Sequence, residues 1–301
     1  MDISKEVTMF EIGGIGDIKI KAVRFPFYEA KDRQNDDFIL HPYIDNNGEP
    51  EVKLPFYLTG QEMLSDLLNL YKKINDMSIE AALPVIIKWC TTHIHPYYPP
   101  ELMRKPPEWD WSTHWVNLEF DATGIGGFSV RDMIDELKEL YITSIALFTM
   151  LAIQRGEIDQ AKKLYYSNIG TESLGFDLFE HFSMEKQYTR AFLFEDIGLS
   201  VPRFQMGLQY DENAQRLVFA PMIESVFDMA WYAVSRVIAV NAPALNTWDG
   251  KQSITYCEAC GNFFIKDGNR QKYCKDPECQ AYRNRKKSKT YYAKKNNRTS
   301  D

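Results

Sequence analysis

Two short cysteine pairs carry the clearest chemistry in the chain. Cys257-Glu-Ala-Cys260 is separated by thirteen residues from Cys274-Lys-Asp-Pro-Glu-Cys279, so four of the five cysteines fall within 23 residues. Each pair is close enough in sequence to bind one metal ion, and the interval lets the second pair fold back on the first. Four thiolates in a tetrahedron suit zinc, which needs no redox chemistry of its own. Gly261 follows Cys260 directly, and glycine tolerates the positive φ that a metal-binding knuckle turn can require. Two disulfides are the alternative, with three ways to connect four cysteines. Nothing else in the chain suggests an oxidising compartment, and zinc is the expected cofactor.

The elements around these cysteines also read as functional. Asp276-Pro277-Glu278 is a helix-start signature: an Asp N-cap, a Pro at the first helical position and an acid in the first turn. The helix it opens is basic. Between Gln280 and Ser300 there are eight Lys or Arg and no Asp or Glu. A charge run alone is usually a solvated face or a tail. A metal-pinned helix carrying cations interleaved with tyrosines is instead the footprint of a nucleic-acid-binding element. The expected phosphate contacts are Arg270, Lys272, Arg283, Arg285, Lys286, Lys287 and Lys289, with one or two arginines reaching base edges. Tyr282 is expected to pack on the knuckle, and Tyr291 and Tyr292 are candidates for base stacking.

Cys257 and Cys260, Phe263-Phe264, Asp267, Asn269-Arg270, Lys272-Tyr273-Cys274, Cys279 and Tyr282-Arg283-Asn284-Arg285 together resemble the CGNR-type zinc finger. That module lies at the C-terminus of a bacterial family of transcription regulators. The resemblance covers about residues 256–289 and departs at the naming motif, where Cys279-Gln280-Ala281-Tyr282 replaces Cys-Gly-Asn-Arg. It implies a four-cysteine zinc finger that binds DNA. The order strand, Pro, helix, linker ahead of the cysteines is also similar to the end of that family's partner domain. This ABATE-like domain mixes α and β structure and is associated with sensing stress or a ligand.

Composition sets the frame for the rest. The chain has 301 residues, 45% of them apolar and 14% aromatic, enough for one large domain with its own core and a small appendage. Residues 257–301 carry 12 Lys/Arg and 5 Asp/Glu, a net of +7, while residues 1–256 carry 23 and 37, a net of −14. An acidic body with a basic tail places any nucleic-acid surface on the tail. The first residues lack a basic stretch followed by an apolar one, so no targeting segment is expected. The longest uncharged run, residues 140–154 between Glu139 and Arg155, is too short for a membrane span and reads as a buried helix. A cytoplasmic protein with no membrane partner is expected, a compartment where thiols stay reduced.

The fold expected is α+β: a mainly helical body with β-hairpins over residues 1–250, and a small zinc module ending in a basic helix over residues 251–301. Residues 7–12 and 18–25 alternate apolar and polar around Gly13-Gly14-Ile15-Gly16 and predict a hairpin. No P-loop Lys-Ser/Thr follows those glycines, which read as a turn. Residues 38–44 and 51–56, flanking a turn at 45–48, predict two further extended segments. Thr59 and Glu62 form a capping box for a first helix, followed by an apolar helix over 78–89 with Cys90 as a small buried hydrophobe. Gly124-Ile-Gly-Gly127 reads as a chain break. Ser129 opens a long helix to about Arg155, ended by Gly156, and 158–166 makes another. Residues 204–210 and 216–220 predict a hairpin, Pro221 opens a helix to about Val240, and 241–250 is a linker.

Residues 93–121 hold His93, His95, His114 and three tryptophans, with Asp110, Glu119 and Asp121 nearby. This Pro-broken, aromatic stretch reads as a loop packed on the core, with a second metal centre or small-molecule pocket as the sharper alternative.

Three roles are weighed. The first is a zinc-dependent DNA-binding regulator, not an enzyme, whose body senses a small-molecule effector or oligomerises. A homodimer is expected because one module this small usually needs a second copy to reach useful specificity. The second is RNA or single-strand binding by the same surface. The third is an enzyme with its site near residues 93–121 and a structural zinc module. No nucleophile–base motif, Walker loop or dinucleotide fingerprint supports the third role.

Overall fold

The computed structural model describes residues 25, 27–33, 37–43, 60–93, 95–97, 119–120, 126–154, 156–169, 179, 202, 206–211, 216–221, 225–241, 254–268 and 270–298. Contacts divide the chain into two units, Met1–Leu245 and Asn246–Asp301. The protein is α+β, with helices and small antiparallel sheets. The hairpin expected at residues 7–25 (Phe25 apart), the extended segment at 51–56, the Thr59 cap, His114 and the 241–250 linker (apart from its first residue) lie outside the described residues. None of the described helices is long and apolar enough to cross a membrane.

In the first unit, β1 (Phe27–Arg33) pairs with β2 (Asp37–Tyr43) in register Phe27↔Tyr43 to Arg33↔Asp37. β3 (Glu119–Phe120) and β4 (Gly126–Ser129) complete an antiparallel sheet of order β1-β2-β4-β3. β1, Phe-Tyr-Glu-Ala-Lys-Asp-Arg, has no apolar alternation and all but one of its residues are exposed, which is why periodicity did not predict it. Gly126 and Gly127, expected in a chain break, instead belong to a strand. A Cβ on Gly127 would lie 2.7 Å from the His41 ring and from Ile39 Cγ2. The missing side chain lets β4 lie beside β2, in register Ile39↔Ser129 and Leu40↔Phe128.

The helices follow their apolar spacing closely. α1 (Gly60–Ile74) buries Met63, Leu64, Leu67, Leu68 and Leu70, the i, i+3, i+4 pattern of one apolar face. α2 (Ile79–Thr92) is capped by Ser78, whose Oγ accepts from Ala81 N at 3.4 Å, and Cys90 is fully buried. α3 (Val130–Gln154) is the centre of the unit: α1, α2, α4 (Ile158–Asn168), α5 (Val226–Asn241) and strand β2 all pack against it. Every residue from Thr143 to Leu151 is buried, as expected of a helix that is mostly apolar all round. Gly156 ends this helix with φ +78°.

The start of α3 is set by a residue far away in sequence. Asp37, buried at the head of β2, accepts from Arg131 N at 3.0 Å through Oδ1 and from Ser129 Oγ at 2.8 Å through Oδ2. Ser129 Oγ in turn accepts from Asp132 N at 3.0 Å. An acid at the free N–H groups of a helix start is favourable for both hydrogen bonding and the helix dipole. The pairing therefore locks sheet to helix.

β5 (Met206–Asp211) and β6 (Arg216–Pro221) form the predicted hairpin, in register Met206↔Pro221 to Asp211↔Arg216. Pro221 ends β6 rather than opening a helix. α5 begins at Val226, where Ser225 Oγ accepts from Asp228 N at 2.9 Å. A hydroxyl able to cap outweighs the Pro signal that placed the start earlier.

His93 and His95 are accounted for by packing. His93 stacks on Trp89 at 4.9 Å and pairs with Asp66 at 3.5 Å. The His95 ring is stacked 5.7 Å from Tyr28 and meets Phe25 and Phe128 edge-on at 5.3 and 5.5 Å. His95 Nδ1 and the Tyr28 hydroxyl share a 2.8 Å hydrogen bond. Burial among these rings pulls the imidazole down to about 3. Close by, Tyr97 donates to Glu136 Oε2 at 3.3 Å. Burial pushes the Glu136 carboxyl up to about 7, against the pull of that bond, with Asp228, Asp132 and Glu139 adding to the rise.

This packing can be tested at two positions. Gly127→Ala should destabilise the first unit by roughly 1–3 kcal/mol, because both neighbours are buried side chains with little room to shift; thermal melting measures it. Glu136 has a folded value above its ordinary 4.5, so its contribution is present at pH 4.5 and lost as pH rises through about 7. His95, depressed from 6.5, acts oppositely and destabilises as pH falls below 6.5. Glu136→Gln should therefore raise the melting temperature at pH 8 and leave it near wild type at pH 4.5. The difference should grow by at most about 1.4 kcal/mol per pH unit between those limits; melts across that pH range test it.

Candidate metal centre and cationic groove

The second unit begins with a tight hairpin, β7 (Ile254–Tyr256) against β8 (Phe263–Ile265), in register Ile254↔Ile265 to Tyr256↔Phe263. Its corner is the first cysteine pair. Cys257 N donates to Asn262 O and Gly261 N to Cys257 O, both at 2.8 Å. Gly261 has φ +71°, the conformation the glycine was expected to supply. Glu258 N donates to Lys272 O at 3.0 Å, which draws the chain before Cys274 alongside this corner.

The wider spacing of the second pair has a local cause. Asp276 Oδ1 accepts from Glu278 N at 2.9 Å and Cys279 N at 3.2 Å. It is thus the N-cap of α6 (Pro277–Arg298). Four residues between the cysteines accommodate this cap, Pro277 and Glu278, so Cys279 sits in the first turn of the helix. The fourth thiol and the basic helix are therefore positioned together.

All four thiols are free, with no disulfide among them, and their Sγ atoms lie within 4.8 Å of one another. Cys260 and Cys274 Sγ are 3.9 Å apart. A tetrahedron with Zn–S bonds of about 2.3 Å has edges of about 3.8 Å. The arrangement can hold a metal ion and is compatible with zinc. Among the described residues it is the one cluster of this kind.

The electrostatics agree with that use. Burial opposes ionisation of Cys257, but N–H groups of Cys260, Cys274 and Ala259 directed at its sulfur outweigh it and bring the thiol down to about 7. Cys274 N lies 3.4 Å from that sulfur. Cys274 and Cys279 are pushed up, first by burial, with the Cys257 sulfur adding to the rise at both. One thiolate forms readily; further negative charge calls for a cation. The apolar packing around the site is small, with Tyr273 and Phe264 against Cys257, Cys274 and Cys279; segments with so little core commonly use a metal or disulfides as a staple.

Beside the centre, an open groove of about 1490 Å³ runs between residues 267–275 and the helix. Of the seven cations expected to meet phosphate, Arg270, Lys272, Arg283, Lys286 and Lys287 line it. Arg283, Lys286, Lys287 and Tyr291 share one helix face by their i+3, i+4 and i+8 spacing. Arg285 and Lys289, four residues apart, lie on the helix outside the groove lining. Tyr282 packs on Tyr273 at 6.1 Å between ring centres, whereas Tyr291 and Tyr292 are 64% and 61% exposed.

Three residues of this surface escaped the sequence reading. Glu258 pairs with both Lys272, at 3.2 Å, and Lys286, at 3.1 Å, and accepts from the Tyr273 hydroxyl at 2.9 Å. Lys272 and Lys286, both expected among the phosphate contacts, are thus paired internally with Glu258. Gln280 donates through Nε2 to Cys274 O at 2.5 Å and accepts from Arg283 Nη1 at 3.0 Å, tying a cation to the metal loop. Lys275 also lines the groove, paired with Asp267 at 3.0 Å. The Glu258 pairings span 14 and 28 residues, and no spacing rule signals them. Gln280 stands where the resembled motif carries glycine, and that departure was the available hint.

Compared with known proteins, the chain matches no family model, no curated protein and no solved structure.

The metal centre is tested by stoichiometry. Wild-type protein should retain one zinc per chain after dialysis. Cys257→Ser and Cys279→Ser should each lose it, while Cys90→Ser, in the buried core of the first unit, should retain it. Elemental analysis of the purified variants gives the result.

Proposed function

We propose that the chain is a zinc-dependent, DNA-binding transcriptional regulator, with the second unit as the nucleic-acid-binding module. The observation that carries this reading is a 22-residue helix joined at its first turn to a four-thiol centre and bearing cations, with no acid between Glu278 and the helix end. A helix of that length extends about 33 Å, and an α-helix fits the major groove of duplex DNA. Zinc would join Cys257, Cys260, Cys274 and Cys279 and so hold this helix against the knuckle. Arg285 and Lys289, without ion-pair partners among the described residues, are suited to phosphate contact. Arg270, Arg283 and Lys287 add cations from the groove.

The similarity to the CGNR-type finger supports the same reading. The acidic first unit, net −14 over residues 1–256, is unsuited to phosphate and is proposed to sense a small-molecule effector or to form a homodimer. In the 93–121 stretch, His93, His95 and Tyr97 engage core side chains by stacking and hydrogen bonding, and no catalytic role is proposed for them. A second reading, single-stranded DNA or RNA as the ligand, has one observation in its favour: Tyr291 and Tyr292 leave their rings open for base stacking.

Binding of full-length protein to random duplex DNA, single-stranded DNA and RNA, at two salt concentrations and with or without a zinc chelator, separates these readings. Duplex binding that weakens with salt and disappears on chelation is expected. Arg285→Gln and Lys289→Gln should each reduce the slope of log K against log salt by about 0.9. Preference for single strands, weakened by Tyr291→Ala, would favour the second reading. Absence of binding to every probe would overturn both.

A further inference from the structure

The groove cations are not equivalent. Among the described residues, Arg270 and Lys287 have no carboxylate partner, and Arg283 is held by the neutral Gln280 amide. Lys272 and Lys286 converge instead on one carboxylate, Nζ of each lying 3.2 and 3.1 Å from Glu258 oxygens, with the Tyr273 hydroxyl at 2.9 Å as third donor. Two ammonium groups and a hydroxyl around an anion form a donor set that a phosphate would also take. Here an internal carboxylate occupies it.

Glu258 is poorly placed to move aside. It lies inside the Cys257–Cys260 knuckle, its N–H is bonded to Lys272 O at 3.0 Å, and its side chain is 18% exposed against 58% for both lysines. A phosphate recruiting either lysine would break a pair and come to rest beside the released carboxylate, with like charges opposed at short range.

We propose that Glu258 is a built-in counter-anion that withholds Lys272 and Lys286 from nucleic-acid phosphates. The groove then offers fewer free cations than the sequence shows. Indiscriminate affinity for any polyanion is restrained, and Arg270, Arg283 and Lys287 are left to set the position of the bound backbone. Charge that discriminates by what it repels as well as by what it attracts is a recognised route to specificity. The proposal rests on the nucleic-acid reading above.

The test uses the zinc-loaded full-length chain and a random-sequence duplex DNA, with affinity measured from about 50 to 200 mM salt. Glu258→Gln should tighten binding at the low end and steepen the salt slope by up to about 1.8, so that the fourfold rise in salt weakens this variant roughly twelvefold more than wild type. The triple variant E258Q/K272Q/K286Q should return to the wild-type slope. In the wild-type background, Lys272→Gln and Lys286→Gln should leave the slope nearly unchanged, whereas Lys287→Gln lowers it by about 0.9. These lysine variants decide the matter if Glu258→Gln fails to retain its metal.

An unchanged or shallower slope in metal-loaded E258Q overturns the proposal, as does a loss of slope in K272Q or K286Q equal to that in K287Q. In either case wild-type binding would leave the nucleic-acid reading standing. If neither wild type nor E258Q binds at any salt concentration, that reading fails with it.

Discussion

Four thiols held within 4.8 Å of one another cannot all carry negative charge without a cation among them. The second unit is organised by that constraint. N–H groups at the hairpin corner stabilise one thiolate at Cys257, while crowding and burial resist ionisation at Cys274 and Cys279. A divalent ion would resolve the conflict at the point where three pieces of chain that share little apolar surface meet: the β7–β8 hairpin, the 267–275 segment and the start of α6. The cap formed by Asp276 makes the fourth thiol a helix residue, so a metal held there would also place the helix.

The same segment must manage positive charge. Arg283, Arg285, Lys286, Lys287 and Lys289 crowd one stretch of helix, with like charges three and four residues apart, an arrangement that disfavours an isolated helix. Glu258 relieves part of this repulsion by engaging Lys286, and Lys272 with it. The carboxylate thereby joins the metal knuckle to the basic helix while lowering the net charge of the groove. Stability and restraint of polyanion binding can then arise from one side chain.

The first unit solves a different problem. Its central helix α3 is enclosed by other helices and by β2, and at its start Asp37, a buried acid at the head of that strand, accepts from Arg131 N and from the Ser129 hydroxyl that caps Asp132 N. Two further groups of the unit, buried His95 and half-buried Glu136, are both shifted toward their neutral forms, the imidazole downward and the carboxyl upward, because burial penalises charge of either sign.

Much of this protein was legible in its residue pattern. Cysteine spacing identified the four thiols that the fold brings together, because the ligand geometry of one ion limits how far apart its donors can lie along a chain. Asp276-Pro277 located the start of the basic helix, since capping is a local interaction, and apolar periodicity found α1 to α4 and the β5–β6 hairpin. Contacts between distant segments were a matter for the tertiary structure. β1 has no alternation to reveal it, Gly127 became strand only because β2 needed close approach, and the start of α5 moved to Ser225 because a hydroxyl was available to cap it. Asp37 at the head of α3 and Glu258 beneath two lysines act across 14 to 94 residues. A charge count along the chain identifies the cations but not their partners. Which of them face solvent unpaired depends on where folding places the carboxylates.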